Sequence, residues 1–273
     1  MPIDARFLAF ADSTLEGGLI STIGISSPSF SFAPFNEALE RVRKHFDLWE
    51  IVSDLEHDLP KLEGDISYAM DSYGIKFQVH APIADLNIGS PATRSRKFSL
   101  DEILGLIDIC ERLSIKTLTI HPGVAIAYGD EVKERVRSAT KESLKAIDRK
   151  VEGMSLKVAL ENMPPASWSI GYDLKELLSM IDGTSIGICF DTGHANIAGS
   201  IDDFLRENRR LVNVHLHNND RSSDQHMPLD AGSLDIESIV STLRKFYSGN
   251  YIIESRDLDE GIHSKKCLEK WLE

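Results

Sequence analysis

Cysteine is scarce in this chain: three in 273 residues, Cys110, Cys189 and Cys267, with no closely spaced pair among them. That argues against a disulfide framework or a cysteine-based zinc knuckle, and it suits a reducing cytoplasm. Positive charge is in deficit too, with 30 Lys and Arg against 43 Asp and Glu and a formal net charge of -13. A broad, nonspecific affinity for nucleic acid or anionic lipid is therefore disfavoured, although a local basic groove is not. No uncharged apolar run is long enough to cross a bilayer, so no membrane partner is expected. The opening stretch MPIDARFLAFADSTLEGG lacks the basic start and sustained apolar segment of a secretion signal. Low-complexity segments and Pro/Ser-rich linkers are missing as well, which leaves one domain over residues 1–273. The expectation is a cytoplasmic globular protein.

What the chain has is alternation. Short β-rich apolar runs recur as LISTIGI (from Leu19), LWEIV (Leu48), KFQVH (Lys76), IKTLTIH (Ile115), KVALEN (Lys157), IGICFD (Ile186), LVNVHLH (Leu211) and YIIES (Tyr251). Between them lie amphipathic segments of helical period, among them NEALERVRKHF, LDEILGLIDICERL and DEVKERVRSATKESLKAIDRKVEG. Ser99, with Glu102 three residues on, reads as a capping box; Ser233 or Asp235 reads as the cap of SLDIESIVSTLRKF. Eight strand–helix units in one chain predict an α/β fold, a single (β/α)8 TIM barrel. A doubly wound open sheet is the competitor, but no Gly-x-Gly-x-x-Gly follows the first strand.

In such a barrel the active site gathers at the C-terminal strand ends. Here the third to eighth strands end in His80, His121, Glu161, Asp191, His215 or His217, and Glu254. All are residue types that bind divalent metals, whereas ordinary strand ends favour Gly, Asn, Ser and Asp. The segment ICFDTGHA concentrates the question, because an apolar run stops on Asp191 and an imidazole, His194, follows three residues later. Alone this is a turn. Among six converging strand ends it predicts a metal ligand. Asp224 and His226, in SSDQHMPLDAG after the seventh strand, would hang over the same mouth.

The ordered set HAPI, IHPG, LENMP, CFDTGHA, VHLHNND…DQHMPLDAG and IIES resembles the superfamily of endonuclease IV and the xylose isomerase-like barrels, over nearly the whole chain. The resemblance implies one ion on His80, His121 and Glu161. It implies a second on Glu161, Asp191, His215 and Glu254, and a third on His194, Asp224 and His226. Zinc is the expected metal, with manganese as the alternative, at two or three ions per chain. His217 shares a strand face with His215, so the choice between them rests on the resemblance. Clustered cations acidify a bridging water and stabilise the oxygens of a phosphoester, which makes a phosphoester hydrolase the first expectation.

A second expectation uses only the four-residue set Glu161, Asp191, His215 and Glu254. In related sugar or sugar-phosphate isomerases and epimerases one ion holds vicinal oxygens, while Glu161 and Glu254 act as the catalytic acid–base pair. Ile83 stands where endonuclease IV-like chains carry an aromatic residue; LWEIVSD replaces their Gln-x-Phe pattern, and HLHNND their H-L-N-D. These departures point to a small phosphoester or sugar phosphate rather than abasic DNA. Arg94, Arg96 and Lys97 stand near the mouth, as a phosphate clamp or a solvated loop.

Overall fold

Alternation along each strand decides which side chains enter the barrel. On Leu48–Val52, Trp49 turns outward and stacks on Phe35 at 5.5 Å, which sends its neighbour Glu50 inward. The computed structural model describes residues 21–125, 129–206 and 210–273. The opening stretch and the first residues of the LISTIGI run lie outside the described residues.

Eight strands, β1 (Ile23–Ser26), β2 (Leu48–Val52), β3 (Lys76–His80), β4 (Thr117–Ile120), β5 (Lys157–Glu161), β6 (Gly187–Asp191), β7 (Leu211–Leu216) and β8 (Tyr251–Glu254), pair in sequence order. Every pairing is parallel, and β1 with β8 closes the sheet. The helices between them are α1 (Phe35–Val42), α2 (Leu59–Tyr73), α3 (Thr93–Arg112), α4 (Asp130–Val151), α5 (Leu174–Ile181), α6 (Thr192–Ala198), α7 (Ile201–Arg206), α8 (Ile236–Leu243) and α9 (Leu258–Leu272). This is the expected (β/α)8 barrel. Among the described residues no helix is long and apolar enough to cross a membrane.

The helices cover the barrel with the apolar faces that the sequence announces. In α1 these are Phe35, Ala38, Leu39 and Val42; in α4, Val136, Ala139, Leu144, Ile147 and Val151. Asp235, rather than Ser233, caps α8, its carboxylate accepting from Ser238 N–H. The capping box expected at Ser99 is not there. Helix α3 begins at Thr93, so Ser99 lies in its second turn. Its hydroxyl donates back to the Ser95 carbonyl and accepts from Asn87 N–H. A helical serine bonded to the preceding turn competes with the capping role that the same spacing suggests.

Register then fixes the mouth. Val52 pairs with His80, Asp191 with His215, and Ser26 with Glu254, so these residues share one rim. One layer below, the barrel interior is polar rather than aliphatic. Asn213 Nδ2 donates to Glu50 Oε2 (2.8 Å) and Thr119 Oγ1 (3.0 Å), and Gln78 Nε2 donates to Glu50 Oε2 and to Asn213 Oδ1, each at 3.2 Å. These hydrogen bonds make the layer tolerable and give the rim a hydrogen-bonded floor, while Glu50 Oε1, without a hydrogen-bond partner of its own, faces up to His215 Nε2 at 2.8 Å.

Candidate metal centre

Among the described residues, three clusters of ligand-type atoms at the rim each hold one chosen atom per residue no more than 4.8 Å from the others, and Cys189 joins Glu161 and His215 in an overlapping fourth. The first joins His80, His121 and Glu161; the second, Glu161, Asp191, His215 and Glu254; the third, His194, His217, Asp224 and His226. All nine residues singled out in the sequence are brought together, and His217 joins them as a tenth.

Glu161 stands between the first two clusters. Its Oε2 is 3.0 Å from His80 Nε2 and 3.2 Å from His121 Nε2, while its Oε1 is 3.5 Å from His215 Nδ1. The two oxygens of one carboxylate thus face two sets of nitrogens. His80 Nδ1 is 2.7 Å from the Ala81 carbonyl, which assigns the ring proton there and leaves Nε2 to the cluster. His194 repeats the device with the Asn162 carbonyl at 2.8 Å, turning Nε2 toward Asp224 Oδ2 at 3.2 Å.

His215 is oriented from below. Its Nε2 lies 2.8 Å from Glu50 Oε1, and its Nδ1 faces Glu254 Oε1 at 3.1 Å. Among the described residues, His215 Nδ1, Asp191 Oδ2 and His217 Nδ1 are buried without a hydrogen-bond partner. Asp191 Oδ2 and His215 Nδ1 are 4.0 Å apart. Orphaned carboxylate oxygen and imidazole nitrogen, converging in a buried site, fit a cation between them.

The protonation balance agrees. Burial opposes a charge on His80, but the Glu161 carboxylate overcomes it and holds the ring up to about 8. Burial also works against His226, which Asp224 and Glu254 hold up to about 9. His194 and His215 are raised well above the usual range by surrounding acids in spite of their burial. Glu161, Glu254 and Asp224 resist the upward push of burial and fall well below the usual carboxylate range, because imidazoles face them. Without ions, protons on histidine balance the carboxylates; a divalent cation would replace them.

The DTGH turn has a structural answer. Asp191 ends β6 and caps α6, its Oδ1 accepting from His194 N–H at 2.6 Å, which turns the imidazole back over the rim. A Cβ on Gly193 would stand 1.9 Å from His217 Cε1, so the glycine reserves the space that this ring occupies. Asn162 ties β5 to β6: Asp191 N–H donates to its Oδ1 (2.8 Å), and its Nδ2 donates to the Asp191 carbonyl (3.0 Å).

Glu50, Asn162 and Asn213 were not legible as site residues. Glu50 left one signal, an acid in the middle of an apolar strand. The basic stretch reads differently in three dimensions. Arg94, Arg96 and Lys97 lie at the start of α3. Arg96 pairs with Glu142 at 3.2 Å, and Lys97 with Asp101 one turn on. Those two cations are held by neighbouring acids, which weakens a phosphate clamp.

The sequence pattern of the family described as the xylose isomerase-like TIM barrel matches residues 39–270. The chain belongs to that family. An uncharacterized protein of Methanocaldococcus jannaschii is 30% identical over 263 residues, covering 92% of this chain and 89% of its own. A probable endonuclease 4 of Aquifex aeolicus is 28% identical over 199 residues, covering 65% of this chain and 69% of its own. Among solved structures, a D-tagatose 3-epimerase-like protein superposes with a TM-score of 0.84 at 26% identity, over 92% of this chain and 97% of that one. Members of the family thus include sugar-epimerase-like and endonuclease-like enzymes, and the epimerase-like likeness runs the fuller length.

Proposed function

We propose that the protein is a metal-dependent isomerase or epimerase of a small sugar or sugar phosphate. One observation carries this reading. Glu161 and Glu254, from β5 and β8, place carboxylate oxygens 3.5 and 3.1 Å from the same His215 Nδ1. They are the acid–base pair that proton transfer across a carbon requires. A zinc or manganese ion on Glu161, Asp191, His215 and Glu254 would hold the carbonyl oxygen and the neighbouring hydroxyl of the sugar and acidify the hydrogen on the hydroxyl-bearing carbon next to the carbonyl. One glutamate, ionised, would take that proton, and the other, first protonated from solvent, would return one to the opposite face. The full-length likeness to the epimerase-like structure supports the same reading.

Phosphoester hydrolysis is the second reading, favoured by Glu161 facing two clusters and by the endonuclease-like relative. Abasic DNA as substrate gains little. The overall charge is acidic, Arg96 and Lys97 are paired internally, and Ile83 keeps the position where an aromatic was expected.

The deciding experiment incubates metal-loaded protein in heavy water with ketoses and their phosphates, beside simple phosphoesters and an abasic duplex. Deuterium entering the sugar at the carbon next to its carbonyl is the expected result. Phosphoester cleavage with no exchange in any sugar would overturn the proposal.

A further inference from the structure

The three residues that the resemblance assigns to a third ion, His194, Asp224 and His226, leave one position of a tetrahedron open. In this chain a fourth ligand-type side chain, His217, gathers with them, one chosen atom of each lying within 4.8 Å of the others. We propose that His217 is the fourth protein ligand of that ion and closes it to substrate. The proposal rests on reading the mouth as the metal centre of an isomerase or epimerase, where this ion need touch no phosphate.

The sequence places an imidazole two residues past His215, where the endonuclease-type H-L-N-D pattern has none. Its Nε2 lies 3.1 Å from Asp191 Oδ1 and 3.6 Å from Asp224 Oδ1. The ring stacks on His226 with centroids 4.1 Å apart and planes 2° from parallel, and it meets the His194 ring edge-on at 5.6 Å. His217 is fully buried, and its ring lies in the space that a Cβ on residue 193 would fill. Thr192 Oγ1 sits 3.2 and 3.1 Å from the carbonyls of His215 and His217, which fixes the backbone beneath both rings.

Three imidazoles and one carboxylate form a complete tetrahedral set for a zinc-like ion. A site filled by four protein ligands is structural, whereas a catalytic one keeps a position for water or substrate. The closed ion would pin residues 224–226, whose turn includes His226 at φ +46°, over the mouth. It would also be unable to polarise a phosphoryl oxygen, which separates this chain from a three-ion phosphoesterase while leaving the nine shared positions intact.

Cobalt(II) titration of the chelator-stripped full chain reads coordination directly, since tetrahedral cobalt absorbs strongly in the visible and higher-coordinate cobalt weakly. The third ion is isolated as the difference between wild type and Asp224→Asn. We expect a strong tetrahedral band in wild type that inorganic phosphate leaves unchanged. In His217→Asn and His217→Gln the band should weaken, affinity at this site should fall about tenfold or more, and phosphate should now shift the spectrum. A weak or phosphate-sensitive wild-type band, absence of a third ion, or variants that keep the wild-type band would each overturn the assignment. Circular dichroism and central-ion stoichiometry check that the variants fold. If they do not, the wild-type phosphate titration alone decides. Deuterium exchange into sugars reports separately on the isomerase reading.

Discussion

Glu50 Oε1 and His215 Nε2 lie 2.8 Å apart, both fully buried, on β2 and β7, three strands apart around the closed barrel. A carboxylate behind an imidazole fixes the ring's orientation and raises the basicity of its far nitrogen. Glu50→Gln keeps the shape and removes the charge. Affinity at the central site should fall about 10- to 100-fold, with the thermal midpoint of the metal-free protein little changed. Calorimetric titration with zinc checks it. Unchanged affinity would mean that Glu50 serves only the polar floor.

Glu161→Gln should weaken two ions together, because its two oxygens face different clusters. Metal content measured at increasing zinc should show two occupancies shifting in concert. A single shifted site would show that the carboxylate does not bridge.

Gly193→Ala tests the packing against His217. The added methyl carbon would stand 1.9 Å from Cε1 and 2.3 Å from Nδ1 of the buried ring. Overpacking of this kind costs about 1–3 kcal/mol. Urea unfolding should register that loss, and the third ion should be lost with it.

Stability of the metal-free protein should depend on pH in a definite way. His80 and His226 are raised to about 8 and about 9 in the folded state. Their contribution is therefore complete below the unfolded value of about 6.5 and is lost as pH rises through 8 and 9. Buried His57, against Trp49 and Phe35, is pushed down to about 4 by desolvation. Its contribution is present above about 6.5 and is lost as pH falls toward 4. Melting temperatures across this range should peak near pH 6.5. Zinc-loaded protein should not show the alkaline decline, because binding needs neutral imidazoles. A metal-free melting curve that is flat from about 6.5 to 9 would contradict the charge balance derived for the rim.

The sequence by itself determined the barrel, since short β-rich apolar runs and amphipathic segments of helical period are local properties that each segment carries alone. It also placed the six strand-end candidates at one rim, because a parallel barrel collects strand ends at one mouth, whereas His194, Asp224 and His226 reach it from α6 and the loop after β7. Its local signals failed where tertiary contacts compete: Ser99 has the spacing of a cap, yet α3 starts a turn and a half earlier and takes it into the helix. The resemblance named His215 over His217, and only the tertiary structure supplies the physical reason. Both face inward on one strand, so periodicity treats them alike. The Asp191–His215 register and Glu50 beneath the ring assign His215 to the central cluster, and the space over Gly193 sends His217 to the third. Glu50, Asn162 and Asn213 stayed hidden for the same reason. Their partners lie 163, 29 and 94 residues away along the chain, and a contact made between different strands leaves no trace in local spacing.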